Sequence, residues 1–181
     1  QFPHEMKWLC DQIRKLGFSP GVWTVPFGTG SHEFYEQHKG WFLHDPEGEP
    51  MTNWCGLYLL DPSQRAVRKF MADMHRTMSR EWGYEFFKID GMSNIASSYS
   101  NHYYEKPEVV AAFREKCGEP YVECMKALRK GIGEDRIILA CGGAYNAYDV
   151  EACDAGRIGH DIVGIRKPPR WHNYMHQITG F

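Results

Sequence analysis

The sequence lacks the features that mark several classes of protein. Its 21 Lys and Arg residues do not outnumber its 23 Asp and Glu residues, and without a basic block it offers no electrostatic footprint for nucleic acid. No apolar run reaches the roughly 18 residues that a membrane span needs. No predicted strand is followed by the GxGxxG turn of a dinucleotide-binding fold. We therefore expect no nucleic-acid partner and no membrane-spanning segment.

The cysteines give no sign of a metal or redox centre. No two of them form a CxxC pair, and their spacings match no zinc pattern. We expect buried free thiols in a reducing compartment, and no cofactor. Residues 1–5 lack the plan of a signal peptide, which favours the cytoplasm, although such a peptide could precede residue 1. The cysteines are Cys10, Cys55, Cys117, Cys124, Cys141 and Cys153.

What is present is enough for a folded core. The chain has 181 residues, of which 43% are hydrophobic and 24% charged. That length fits one domain or part of a larger one. Aromatic residues make up 14%, and clefts rich in such side chains often bind sugars. Core packing is the commoner use of aromatic residues, so the aromatic content alone does not indicate sugar binding.

Helical and extended patterns alternate along the chain, which predicts a parallel α/β sheet. Residues 28–60 are irregular, with a turn at 45–49 between two short strands, and a long loop of this kind is usually functional. Asp61 or Ser63 is expected to cap the helix that follows. The predicted elements are a helix 6–16 stopped by Gly17, strand 21–27, helix 61–82, strand 86–90, helix 107–130 closed by Gly131, strand 137–141, a less clear extended piece 153–159 and a helix starting at 172.

Polar residues follow the carboxyl ends of these strands, where the active-site residues of a (β/α)8 barrel lie. Only about four strands are predicted, so the chain covers roughly half of such a barrel. Lys88 and Asp90 are two residues apart and should share the inward face. A buried charged pair is costly unless it is paired or binds something. Asp90 could equally be a helix cap for the segment that follows it, since Asp before Gly91 and Ser93 suits a turn.

Asp161 follows Arg157 at the end of a different predicted strand. Two carboxylates on separate strand ends of one barrel form a natural acid and nucleophile pair. In retaining glycosidases such a pair stands about 5–5.5 Å apart.

Six segments of the sequence carry a resemblance to one enzyme family. They fall in the family's order, and together they reach from residue 2 to residue 161. The segments are 2–9 (FPHEMKWL), 16–27 (LGFSPGVWTVPF), 60–63 (LDPS), 82–90 (WGYEFFKID), 133–142 (GEDRIILACG) and 157–161 (RIGHD). The chain resembles the catalytic barrel of the α-galactosidases of glycoside hydrolase family 36, in the melibiase clan. The resemblance implies a partial (β/α)8 TIM barrel, roughly strands 3 to 6, with residues 1–181 forming the central part of one catalytic domain.

The resemblance also implies roles for six residues. Asp90, in the Lys-x-Asp motif, corresponds to the nucleophile, and Asp161, in the Arg-x-Gly-x-Asp motif, to the general acid/base. The implied substrate-binding residues are Trp23, Lys88, Cys141 and Arg157. Trp23 would form an apolar wall, Lys88 would bind sugar hydroxyls, and Arg157 and Cys141 would lie near the 2-hydroxyl. A core aromatic remains the alternative for Trp23, and a packed thiol for Cys141.

The implied activity is retaining hydrolysis of terminal α-linked galactose through a covalent glycosyl-Asp intermediate, without metal or organic cofactor. The implied partner is an α-galactoside oligosaccharide or glycoconjugate. Several relatives assemble as oligomers, which implies a homo-oligomer for the full-length protein. The alternatives are an α-N-acetylgalactosaminidase, a galactosyltransferase of the raffinose synthase kind, a non-catalytic carbohydrate-binding fragment and a metal-dependent barrel hydrolase. Two departures concern the site: Gly91 replaces a larger residue, and 162–170 is an unusual basic, Pro-rich stretch.

Overall fold

The computed structural model describes residues 4–45, 47–53, 55–91, 107–141 and 152–157. Helices and strands alternate through this part of the chain. A 3-10 turn covers Lys39–Trp41, and a π turn, Thr77–Glu81, extends the third helix. In chain order the elements are α1 (Glu5–Lys15), β1 (Gly21–Thr24), β2 (Gly28–Thr29), α2 (His32–Gln37), β3 (Tyr58–Leu59), α3 (Arg65–Arg76), β4 (Phe86–Ile89), α4 (Pro107–Ile132), β5 (Ile137–Cys141) and β6 (Ala155–Arg157).

The main sheet has four strands in the order β1-β4-β5-β6, and every pair is parallel. The parallel strands lie side by side in chain order, and helices occupy the β1–β4 and β4–β5 connections, as in a (β/α)8 barrel. Trp23 pairs with Lys88, and Lys88 pairs with Leu139, so these Cα positions form one row across the sheet. The predicted α/β class is confirmed.

One face of this sheet carries the hydrophobic core. On β4, Phe87 and Ile89 are fully buried, whereas the alternate residues Phe86 and Lys88 are only partly buried. The core joins these strand residues to Met71 of α3 and to residues of α4. The described residues leave the opposite face open, since Trp23 is 57% exposed there and Ile137 52%. A parallel sheet usually has both faces covered, so this one is half of a layered structure.

The glycine that ends α1 acts as predicted, but the one assigned to α4 does not. Gly17 follows α1 with a φ of 84°, a left-handed conformation that suits glycine. Gly131 was expected to close α4, and that prediction is wrong. The helix continues to Ile132, and Gly133, with a φ of 97°, follows it. A Cβ on Gly131 would lie 2.3 Å from the carbonyl oxygen of Ala72, so this glycine allows α3 and α4 to pack closely.

The start of α3 is also later than predicted. Asp61 accepts hydrogen bonds from the Ser63 backbone N–H (2.9 Å) and from the Gln64 side chain (3.3 Å). These bonds stabilise a turn, and the helix begins only at Arg65. Neither Asp61 nor Ser63 is its N-cap, because Gln64 occupies that position.

Residues 28–60 form a small lobe after the carboxyl end of β1. The predicted turn at 45–49 is present, with Asp45 accepting the backbone N–H groups of Glu47 and Glu49 and His44 bridging to Pro50. Helix α2 was not predicted. It begins after Ser31, whose hydroxyl accepts the Phe34 N–H at 3.1 Å.

Cys10, Cys55 and Cys124 are free thiols. Cys10, Cys124 and Cys141 are buried as expected, but Cys55 is exposed. Burial raises the pKa of the Cys124 thiol to about 12, which keeps that sulfur protonated and unreactive. Within the described ranges, no helix combines the length and apolar character that crossing a bilayer demands.

Candidate functional site

The candidate site lies at the carboxyl ends of β1 and β4. Trp23 and Lys88 are paired positions on these neighbouring strands, and paired residues in a parallel sheet point to the same face. Asp90 comes two residues after Lys88 and so lies on that face as well. The parallel ladder continues to this point, because the Asp90 N–H donates to the Thr24 carbonyl at 2.8 Å. The predicted neighbours Trp23, Lys88 and Asp90 are therefore brought together at the open face.

The Asp90 carboxylate is held by a donor on each of its oxygens. Trp23 Nε1 donates to Asp90 Oδ2 at 3.1 Å, and the Gly91 N–H donates to Asp90 Oδ1 at 2.8 Å. Gly91 has a φ of 72°, a left-handed conformation that glycine adopts without a steric penalty. The backbone turn after β4 thus contributes to the orientation of the acid.

Lys88 and Trp23 remain accessible around this carboxylate. The Lys88 side chain is partly buried, and across the described ranges its ammonium group has neither a hydrogen-bond acceptor nor an ion-pair partner. Within the described residues, the Trp23 side chain is 57% exposed. An uncompensated cation and an exposed indole beside an oriented carboxylate can bind a polyhydroxylated ligand through hydrogen bonds and apolar contact.

Cys141 and Arg157 occupy the next two strands at the same end of the sheet. Their Cα atoms are register partners at the ends of β5 and β6. Cys141 is buried, with only 1% exposure, which fits the alternative of a packed thiol at least as well as contact with a ligand. Asp161 lies outside the described residues, as do His160 and the stretch 162–170, so the acid/base assignment stays a prediction.

Sequence reasoning missed two features of the site. The first is the Gly91 N–H bond to Asp90, for which the Asp-Gly pair was a usable signal of turn geometry. The second is the hydrogen bond from the Trp23 indole, which depends on strand register and left no local pattern in the sequence.

A second charged cluster lies at the opposite, amino end of β5 and β6. The Arg129 guanidinium, only 9% exposed, donates to Asp154 Oδ2 at 2.6 Å and to the carbonyls of Ala152 and Arg136, each at 2.9 Å. Asp154 Oδ2 also accepts the Ile138 N–H at 2.7 Å. Burial tends to raise the pKa of the Asp154 carboxyl, but the bonds from Arg129 and Ile138 outweigh it and lower that pKa below its ordinary value. The charges of Arg129 and Asp154 pair with each other, so this cluster is structural.

The described residues contain no group of three His, Cys, Asp or Glu side chains arranged to hold a metal ion. The open face presents a carboxylate, an ammonium group and an indole.

The chain is similar to proteins of known structure. No family model matches the sequence. Among solved structures, the chain is similar to TtGalA, an α-galactosidase from Thermus thermophilus solved in complex with stachyose, at 28% identity over 88% of this chain, with a TM-score of 0.66. It is also similar to a variant of the family GH36 α-galactosidase AgaA from Geobacillus stearothermophilus in complex with raffinose, at 21% identity over 85% of the chain and a TM-score of 0.63.

An α-galactosidase from Lactobacillus brevis matches 86% of the chain at 16% identity, with a TM-score of 0.64. The chain spans about a third of the Thermus enzyme (32%) and about a fifth (21%) of the other two. The fold is therefore part of a (β/α)8 barrel, in agreement with the four sequential parallel strands.

Proposed function

We propose that this protein is a glycoside hydrolase that releases terminal α-linked galactose with retention of configuration, and that residues 1–181 are the central part of its catalytic barrel. One observation carries the proposal. The Asp90 carboxylate stands oriented at the carboxyl end of β4, beside the accessible Lys88 and Trp23, in a fold similar to that of α-galactosidases. The carboxyl ends of barrel strands are where such enzymes hold their reacting groups.

In the proposed mechanism, an oxygen of Asp90 attacks the anomeric carbon as the glycosidic C–O bond breaks. The leaving oxygen takes the bond's electron pair and a proton from Asp161. The resulting glycosyl-Asp90 ester is then cleaved by water, which gives a proton back to Asp161, and Asp90 leaves as a carboxylate. Two inversions at the anomeric carbon return the α configuration.

The substrate-binding residues are assigned from their positions near Asp90 at the carboxyl ends of the strands. Lys88 donates hydrogen bonds to sugar hydroxyls, and Trp23 offers an apolar surface to the ring. Arg157 and Cys141, on the next two strands, are assigned to the region of the 2-hydroxyl. The similar structures from Thermus and Geobacillus hold stachyose and raffinose, both α-galactosides, which supports an α-galactoside oligosaccharide as substrate here.

The first prediction concerns the two carboxylates. In the full-length protein, Asp90→Asn and Asp161→Asn should each lower turnover of nitrophenyl α-galactoside by a factor of about 100 or more, because each removes a group that the chemistry requires. Added azide should restore activity to Asp161→Gly as an α-galactosyl azide product. Asp73→Asn, on the surface of α3, is the matched control and should keep full activity.

Wild-type turnover in Asp90→Asn would remove that residue from the mechanism and overturn the proposal. The same assays with the N-acetylgalactosaminide decide the sugar. Faster turnover of that analogue than of the galactoside would replace galactosidase by N-acetylgalactosaminidase on the same scaffold.

A further inference from the structure

Trp23 does more in this structure than present an apolar ring. Its indole N–H is directed at Asp90 Oδ2, at 3.1 Å, across the β1–β4 pair. The other carboxylate oxygen is already taken by the Gly91 N–H at 2.8 Å. One donor comes from β1 and the other from the turn after β4, and they bind different oxygens, so rotation of the carboxyl group would break both bonds at once.

Within the described residues, little packing holds the indole in place. The Trp23 side chain is 57% exposed, which is far more than a tryptophan held by burial would show. Its register partner Lys88 is an alkyl chain with a charged end, a weaker packing surface than a core residue. In the described part of the chain, the bond to Asp90 is the polar contact of this side chain.

We propose that Trp23 is a positioning residue for Asp90, an inference that rests on the proposed function. The indole N–H fixes the plane of the carboxylate, so that the attacking lone pair faces the anomeric carbon when the sugar arrives. When water later cleaves the glycosyl ester, the C–O bond to the sugar breaks and its electron pair returns to the Asp90 carboxylate. The same N–H then stabilises the returning charge.

An isosteric replacement separates this role from that of an apolar wall. Site-specific incorporation of 3-benzothienylalanine at position 23 keeps the size and aromatic face of the side chain and puts sulfur in place of the N–H. We expect kcat on nitrophenyl α-galactoside to fall about tenfold or more, since a charged acceptor loses a donor, while KM stays the same or decreases. Trp23→Phe should show the same split. The matched control, the same replacement at Trp8 on α1, which is also exposed at 48%, should leave both constants unchanged.

Two outcomes overturn the inference. One is an unchanged kcat in the benzothienylalanine protein, and the other is an increase in KM alone, which would make Trp23 only a wall. Measuring Asp90→Asn in parallel distinguishes failure of the positioning role of Trp23 from failure of the proposed function. If Asp90→Asn is inactive and the position-23 protein is normal, the positioning role fails and the proposed function stands. If Asp90→Asn is fully active, the proposed function itself fails.

Discussion

At the scale of single residues, His75 is a titratable group held in the core. It is fully buried on α3, with its ring centroid 6.3 Å from that of Phe87 on β4. Its Nδ1 lies 2.8 Å from the Met71 carbonyl oxygen, which identifies Nδ1 as the protonated donor. Its Nε2 has no hydrogen-bond partner in the described part of the chain. Burial lowers the pKa of this imidazole from its ordinary 6.5 to about 4, against the smaller opposing effect of the Met71 carbonyl.

This burial makes stability depend on pH below neutrality. As the pH falls through 6.5, the unfolded chain binds a proton at His75 while the folded chain does not until about pH 4, so the folded state loses stability in that interval. Between pH 7.5 and pH 5 the loss from this group should be about 2 kcal/mol. Urea unfolding of wild type and His75→Leu at both pH values measures it.

The pH-dependent part of the free energy of unfolding should shrink in His75→Leu. It should persist in His32→Gln, which alters an exposed histidine on α2. An unchanged pH dependence in His75→Leu would show that another group is responsible.

At the scale of elements, the α3–α4 crossing depends on the absence of a side chain at position 131. A Cβ there would lie 2.3 Å from the Ala72 carbonyl oxygen and 3.0 Å from the Ala72 Cα, and backbone atoms cannot yield as a flexible side chain can. The Ser79 hydroxyl, which donates to the Ile132 carbonyl at 2.7 Å, joins the same two helices. Gly131→Ala should therefore force them apart.

We expect Gly131→Ala to destabilise the protein by about 1–3 kcal/mol, as overpacking does, despite the better helix propensity of alanine. Thermal and chemical unfolding are the measurements. Gly40→Ala is the matched control, because a Cβ there meets nothing within 4 Å. Equal stability of the two variants would mean that the helices separate at no cost.

The Arg129 cluster joins α4 to the amino ends of β5 and β6. Arg129→Met should cost about 2–4 kcal/mol, because it leaves the Ala152 and Arg136 carbonyls and the Asp154 carboxylate without their shared donor. Amide hydrogen exchange should also accelerate in β6. Lys130→Met removes a neighbouring exposed cation and should change neither stability nor exchange. If Arg129→Met leaves exchange in β6 at its wild-type rate, the cluster does not hold that strand.

The sequence predicted the helices and strands better than their ends and the contacts between them. Periodicity located the strands 86–89 and 137–141 because their apolar residues are set by local geometry and burial. Gly131 was misassigned because its role depends on a helix more than 50 positions away in the chain. At the site, strand ends predicted the grouping of Lys88 and Asp90. The bond between Trp23 and Asp90 required the register of two strands, which no local pattern encodes.

At the scale of the whole molecule, the described residues cover the sheet on one side only. Trp23 and Ile137 lie exposed on the other face, and within the described residues β1 and β6 each have one unpaired edge. Exposed faces and edges of this kind demand further layers or strands. This supports the proposal that residues 1–181 are the middle of a larger barrel domain, and it explains why the activity assays call for the full-length protein.

The bond between Trp23 and Asp90 also has a consequence for how the protein is made. Its partners are 67 positions apart in the chain, yet neighbours in space through β1 and β4. During synthesis the carboxylate cannot receive its indole donor until the ribosome has added residue 90 and the two strands have paired, a slow, non-local event. The Asp90 carboxylate of a nascent chain is therefore unoriented, and it gains its indole donor only as the tertiary structure forms.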